Sequence, residues 1–146
     1  MTHSSFHPPQ PAPDDPIEYS MFWQLWHEER FFECHEVLEE LWKRTSGSER
    51  WFYAGLIHCA VARYQHRRGN AYGACRQWWR ATVKLQPFAP QHRGVEIEAL
   101  LHHVELEIAS SLAQLSPSQR AQRDIVRQLL EERMARDFPH NDALDN

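Results

Sequence analysis

Three observations predict an all-α fold. Apolar residues recur at helical spacing through long stretches that neither Gly nor Pro breaks. One stretch, Trp51 to Ala62, is apolar nearly all round, which marks a helix buried on most sides. Short turn signals divide the stretches: Thr45-Ser46-Gly47-Ser48, Gly69-Asn70, Gln86-Pro87-Phe88-Ala89-Pro90 and Ser116-Pro117. The expected architecture is a compact bundle of five to six helices around a buried central third helix.

Each element has its own signal. Residues 1–16 are rich in Pro and polar side chains and are expected to be a disordered tail, since they bury too little surface to offset ordering entropy. Residues 17–28 read as a short amphipathic helix with Met21 and Leu25 inward, beside Phe22 and Trp26. The second helix runs from Phe31 to about Arg44. At helical spacing Phe31, Cys34, Val37, Leu38, Leu41 and Trp42 share one broad arc, and Glu33, Glu36, Glu40 and Lys43 lie opposite. Ser46 and Glu49 fit a capping box that starts the third helix near Ser48. That helix extends to Arg68, and its stripe of Trp51, Gly55, His58, Ala62 and Gln65 admits a close neighbour. Gly69 suits a left-handed stop and Asn70 the next N-cap. The fourth helix, 71–85, buries Cys75, Trp78, Thr82 and Leu85 and shows Arg76, Arg80 and Lys84. The fifth, about 95–115, buries Ile97, Leu101, Val104, Ile108 and Leu112. Ser116-Pro117-Ser118-Gln119 combines an N-cap, an N1 proline and a capping-box Gln. It opens a sixth helix to about Arg136, with Ile125, Leu129 and Met134 as its apolar face. Residues 137–146 read as a polar tail, leaving 17–136 as a single helical domain.

A length of 146 residues suffices for one domain with a real core. No apolar run approaches the roughly 20 residues of a membrane span, and the first residues lack the charged and apolar regions of a secretory signal. The three cysteines, Cys34, Cys59 and Cys75, fall on apolar faces and read as buried, reduced thiols of a cytoplasmic protein. Net charge is −4, but it is segregated. Residues 1–49 carry ten acids against three bases, residues 50–95 no acid and eight bases, and the remainder ten acids and five bases.

Three blocks carry a family resemblance. They are FFECHEVLEELW (31–42), GLIHCAVARYQHRRGN (55–70) and HRGVEIEALLHHVE (92–105). In this order the chain resembles the bacterial and archaeal domain of unknown function 309 family over roughly residues 20–112. The resemblance implies an all-helical fold and no particular activity. His35, Glu36, Glu39, Trp42, Gly55, Gly69 and Asn70 match the family pattern. Relatives usually carry Gln at the position of His58, and often His or another base at that of Gln65. The two polar types stand exchanged here.

Two constellations could carry function. His35, Glu39 and Trp42 line the edge of the apolar arc with Glu36 next to His35 in the chain, and His58 and Gln65 are expected to face them from the third helix. His35 and Glu39 are four apart, so they can hydrogen-bond to each other or share a divalent metal. Neither His-Glu-x-x-His nor a duplicated Glu-x-x-His is present. The second constellation is basic: Arg63, Arg67, Arg68, Arg76, Arg80 and Lys84, with Arg93 and interleaved aromatics. Such a pattern can bind single-stranded nucleic acid. The plainer reading is internal neutralisation, with Arg76 and Arg80 paired to Glu33, Glu36 and Glu40, because net charge is negative and no nucleic-acid motif appears. Phosphate-bearing small ligands also fit these bases. His102 and His103 are adjacent, point to different faces and read as solvated. The leading expectation is a helical binding or interaction module with a semi-buried His/Glu patch, open to self-association. The rivals are a metal-dependent, hydrolase-like enzyme using His35 and Glu39, and a nucleic-acid binder through segment 63–93. Cofactor and partner are not specified by the sequence.

Overall fold

The computed structural model describes residues 6–137. Among them the chain forms seven α-helices and one two-stranded hairpin. The order is α1 (Ile17–His27), α2 (Phe31–Lys43), α3 (Ser48–Arg67), α4 (Ala71–Leu85), a 3₁₀ turn (Gln86–Phe88), β1 (Gln91–His92), β2 (Val95–Glu96), α5 (Ile97–Glu107), α6 (Ala109–Ala113) and α7 (Pro117–Asp137).

The expected central helix is α3. Its Phe52, Leu56, Cys59, Ala60 and Ala62 are fully buried. α2 packs on one side of it and α4 on the other, while α5 closes the core. Gly55 permits the α4 contact: a Cβ there would stand 2.5 Å from Leu85 Cγ and Cδ2. α1 packs against α2, and α7 against α4.

Two predicted caps form. Gly69 takes φ +79° and Asn70 Oδ1 accepts from Gly73 N–H at 2.9 Å. Ser116 Oγ accepts from Gln119 N–H at 3.2 Å, and Gln119 Oε1 accepts from Ser116 N–H at 2.9 Å, a reciprocal capping box. The box expected at Ser46 and Glu49 does not form. Gly47 is the N-cap of α3, and Glu49 turns instead to His92 and Arg93.

Four further expectations are corrected. Residues 6–16 are not a free tail. Phe6 is 7% exposed and stacks with Trp23, Trp26 and His103, while Asp15 pairs with Arg93. One aromatic ring and one ion pair anchor a segment whose average composition argues for disorder. Residues 1–5 and 138–146 lie outside the described residues.

The fifth predicted helix starts two residues late and breaks. Before it, β1 and β2 pair antiparallel through Arg93 and Gly94, at φ +47° and +79°. Both turn residues take the left-handed conformation that a tight two-residue hairpin requires. The break falls at Ile108, after which Ser111 turns inward and its hydroxyl meets His66 Nδ1 at 2.7 Å.

The inner face of α7 is displaced from the predicted one. Ile125 and Leu129 are about 60% exposed, whereas Val126, Leu130 and Met134 turn toward the bundle. A four-residue spacing fits either face of a weakly amphipathic helix, and the docking onto α4 selects one. On α1 the apolar side is likewise rotated: Met21 is exposed, and Tyr19, Phe22, Trp23 and Trp26 form the core face.

Candidate functional site

The α2–α3 turn folds so that helix ends converge. Trp42 and Lys43 close α2, Arg50 and Trp51 open α3, Lys84 lies in the last turn of α4, and Arg133 projects from α7. Together with Thr45, Ser46, Gly47 and Ala54 they line a cleft of about 720 Å³. Its lining carries four cationic side chains, two indoles and, among the described residues, no carboxylate. The Arg50 guanidinium lies 4.0 Å over the Trp42 ring, and Lys84 Nζ 5.3 Å from the centre of the Trp51 ring. Each indole therefore carries one cation over its ring, an arrangement the ring quadrupole favours.

His58 stands behind Lys84. Its Nδ1 meets Gln77 Oε1 at 2.6 Å, and its Nε2 meets Lys84 Nζ at 2.8 Å. As an ammonium Lys84 can only donate, and the Gln77 oxygen can only accept. The imidazole is thus neutral, protonated on Nδ1, and accepts from the lysine through Nε2. Burial, followed by the charge of Lys84, pushes the His58 pKa down to about 3. Burial, followed by Arg80, Arg133 and Arg50, pushes Lys84 down to about 8. Lys43 differs: its side chain is exposed, and Glu40 and Glu39 approach it at 3.7 and 3.9 Å.

The expected His/Glu patch does not assemble as one cluster. His35 Nδ1 meets its own helix at Phe32 O, 2.7 Å away, and its ring packs on Phe32. Glu39 turns to Lys43, and Glu36 is exposed. Gln65 Oε1 accepts from Asn70 at 3.1 Å. His58 faces α4 rather than α2, because the stripe it shares with Gly55 is the one that meets Leu85. Among the described residues no group of three or more His, Cys, Asp or Glu side chains is placed to hold a metal ion. The donor set required for a divalent metal at His35 and Glu39 is thus not brought together.

The basic segment is divided rather than continuous. Arg63 is 5% exposed, lies 4.2 Å over Phe31 and pairs with Glu107 at 2.8 Å. Arg67 pairs with Glu29. Arg68 donates to Tyr64 Oη at 2.8 Å, and Arg76 lies over Tyr72. Arg80 is half-buried, and only Lys84 enters the cleft. The expected pairing of Arg76 and Arg80 with α2 is replaced, because α3 stands between α2 and α4. Glu33 goes to Arg30 and Glu40 to Lys43. His102 is exposed as expected, but His103 is half-buried against Phe6 and Trp26.

Sequence reasoning found Trp42 and His58 but placed them in the His/Glu patch, and it placed Lys84 in the basic segment. It missed Lys43, Arg50, Trp51, Gln77 and Arg133. One signal was available. In WKRTSGSERW (42–51) a Gly turn is flanked on both sides by a base next to a tryptophan.

Fold and cleft define an all-helical protein with a cationic, indole-walled surface cleft. Residues 19–77 match the family described as Domain of unknown function (DUF309). This match contains the first two resemblance blocks, and the third lies beyond it. The chain is 36% identical over 105 residues to the uncharacterized protein YpuF of Bacillus subtilis, covering 71% of this chain and 59% of that protein. It is 30% identical over 83 residues to an uncharacterized protein of Aquifex aeolicus, covering 54% of this chain and 25% of that one. The chain thus spans less than two thirds of these relatives' lengths. No solved structure matches it significantly. No helix among the described residues is long and apolar enough to cross a membrane.

Proposed function

We propose that this protein is a binding module for an anionic small molecule bearing a flat ring, phosphate-containing compounds being the chemical class that fits best. One observation supports the reading above the rest. Lys43, Arg50, Lys84 and Arg133 surround a cleft that has no lining carboxylate among the described residues and is walled by Trp42 and Trp51. Arg50, Lys84 and Arg133 converge on the cleft with no acid paired to them among the described residues, so they repel one another, and an anion relieves that repulsion. Guanidinium groups suit phosphate through paired N–H donors, and indole faces suit a planar ring. In this reading the helical domain expected at 17–136 takes residues 6–16 with it as an anchored strap.

The test is titration with ATP, followed by quenching of tryptophan fluorescence. Saturable quenching is expected, competed by inorganic phosphate and weakened by salt. Arg50→Ala is expected to weaken binding by roughly tenfold or more, the scale of one charge-assisted hydrogen bond. Absence of saturable binding by both ATP and inorganic phosphate would overturn the reading.

A further inference from the structure

Lys84 is held differently from every other base in the cleft, and its neighbours point to a chemical role. It is half-buried, and among the described residues no carboxylate pairs with it. Its hydrogen-bond partner is an imidazole kept neutral by the donation of Nδ1–H to Gln77. A carboxylate in that place would lock the lysine as an ammonium, whereas a neutral acceptor orients the amine without holding its proton. The charged groups around it all oppose a further positive charge. They are Arg50 from α3, Arg80 from α4 and Arg133 from α7, with Lys43 of α2 lining the same cleft. The chain has only two lysines, Lys43 and Lys84, and both line this cleft.

We propose that Lys84 is a nucleophilic amine that forms a reversible imine with an aldehyde or ketone carried by the anionic ligand. The inference rests on the binding reading above and deepens it. The Nζ lone pair attacks the carbonyl carbon, and the C=O π pair moves to oxygen. A proton passes from nitrogen to that oxygen, giving a neutral carbinolamine. A proton from solvent on its hydroxyl lets the C–O bond break with loss of water, the nitrogen lone pair forms the C=N bond, and the resulting iminium returns one proton to solvent. Amine and carbonyl become imine and water, with no oxidant or reductant required. His58 acts as a positioning residue. By accepting one N–H through Nε2 it leaves the lone pair of Nζ available to the cleft. Arg50 and Arg133 hold the ligand's anionic group, and Trp51 walls its ring. The low lysine pKa, about 8, is consistent with this role, since roughly a tenth of the amine is then unprotonated near neutral pH.

The probe is pyridoxal 5′-phosphate, which joins an aldehyde, a ring and a phosphate. Protein is mixed with about one equivalent, reduced with cyanoborohydride and mapped by peptide mass spectrometry. The expected result is an adduct on Lys84 at roughly tenfold or more over Lys43, suppressed by inorganic phosphate. Labelling of Lys84 should rise with a midpoint near pH 8. His58→Gln should shift the Lys84 midpoint, an effect that a purely structural histidine would not produce. Lys84→Arg keeps the charge, and its helical circular dichroism verifies folding. It should abolish the adduct at that position. Equal labelling of both lysines, or a spared Lys84, overturns the imine proposal. If ATP and inorganic phosphate still bind in that case, the binding reading stands alone; if neither binds, both fall.

Discussion

Lys84 Nζ lies 2.8 Å from His58 Nε2 and donates to it, so two bases from adjacent helices are joined by one hydrogen bond with no acid between them. This pairing ties stability to pH at two places. The folded pKa of His58 is about 3, against 6.5 for the free group. Between those values the unfolded chain binds more protons, so stability rises with pH from about 3 to 6.5 and is fully present above that. Lys84 falls from 10.5 to about 8, so a second rise is expected between about 8 and 10.5. Urea midpoints of wild type and His58→Gln should diverge as pH rises from 4 to 6.5, with the steeper slope in wild type. Parallel curves would show that His58 does not titrate in this way.

Gly55 and Leu85 define the tightest helix contact. A Cβ at Gly55 falls 2.5 Å from two Leu85 carbons, and Leu85 is fully buried. Gly55→Ala gains helix propensity of about 0.5–1 kcal/mol but forces Leu85 aside, and overpacking typically costs about 1–3 kcal/mol. Net destabilisation is expected, and Gly55→Leu should fail to fold. Pairing Gly55→Ala with Leu85→Val should recover part of the loss, giving non-additivity in denaturant melts. Strict additivity would sink the close-contact account.

Phe6 should matter although it lies in the Pro-rich segment. It packs with Trp23, Trp26 and His103 at centroid distances of 5.8, 6.4 and 5.7 Å. Phe6→Ala is expected to cost about 3 kcal/mol, the lower end for a buried phenylalanine. Its midpoint in urea should fall, and the near-ultraviolet tryptophan dichroism should change. An unchanged midpoint would mean that the segment is not seated in solution.

Ser116→Ala removes the acceptor for Gln119 N–H, and loss of such a cap costs about 1 kcal/mol. Its effect should reach the cleft, because α7 carries Arg133. ATP affinity and the protection of α7 amides from hydrogen exchange are expected to fall together. Exchange that speeds up while affinity holds would separate Arg133 from binding.

The thiols give a simple control. Cys34, Cys59 and Cys75 are all free and buried, and burial pushes the Cys75 pKa up to about 11 and the other two higher still. Native protein should be inert to a thiol reagent at pH 8, and all three should react in denaturant. Fast native labelling would contradict the packing.

The sequence by itself determined the all-helical class, the central place of α3, the caps at Asn70 and Ser116, and the close-contact face around Gly55. These are local matters: periodicity, capping chemistry and side-chain volume act within a few residues. Tertiary structure alone decided which neighbour each face meets. Helical spacing places His58 and Gly55 on one stripe, but an angle on a helix does not name the helix opposite. That neighbour proved to be α4, which gave His58 to Lys84 and left His35 and Glu39 to partners on their own helix. The cleft needed the same information. Its cations come from positions 43, 50, 84 and 133, and only packing brings such distant charges together. The anchored Phe6 followed the same logic, because one ring in a preformed aromatic pocket outweighs a segment's average composition.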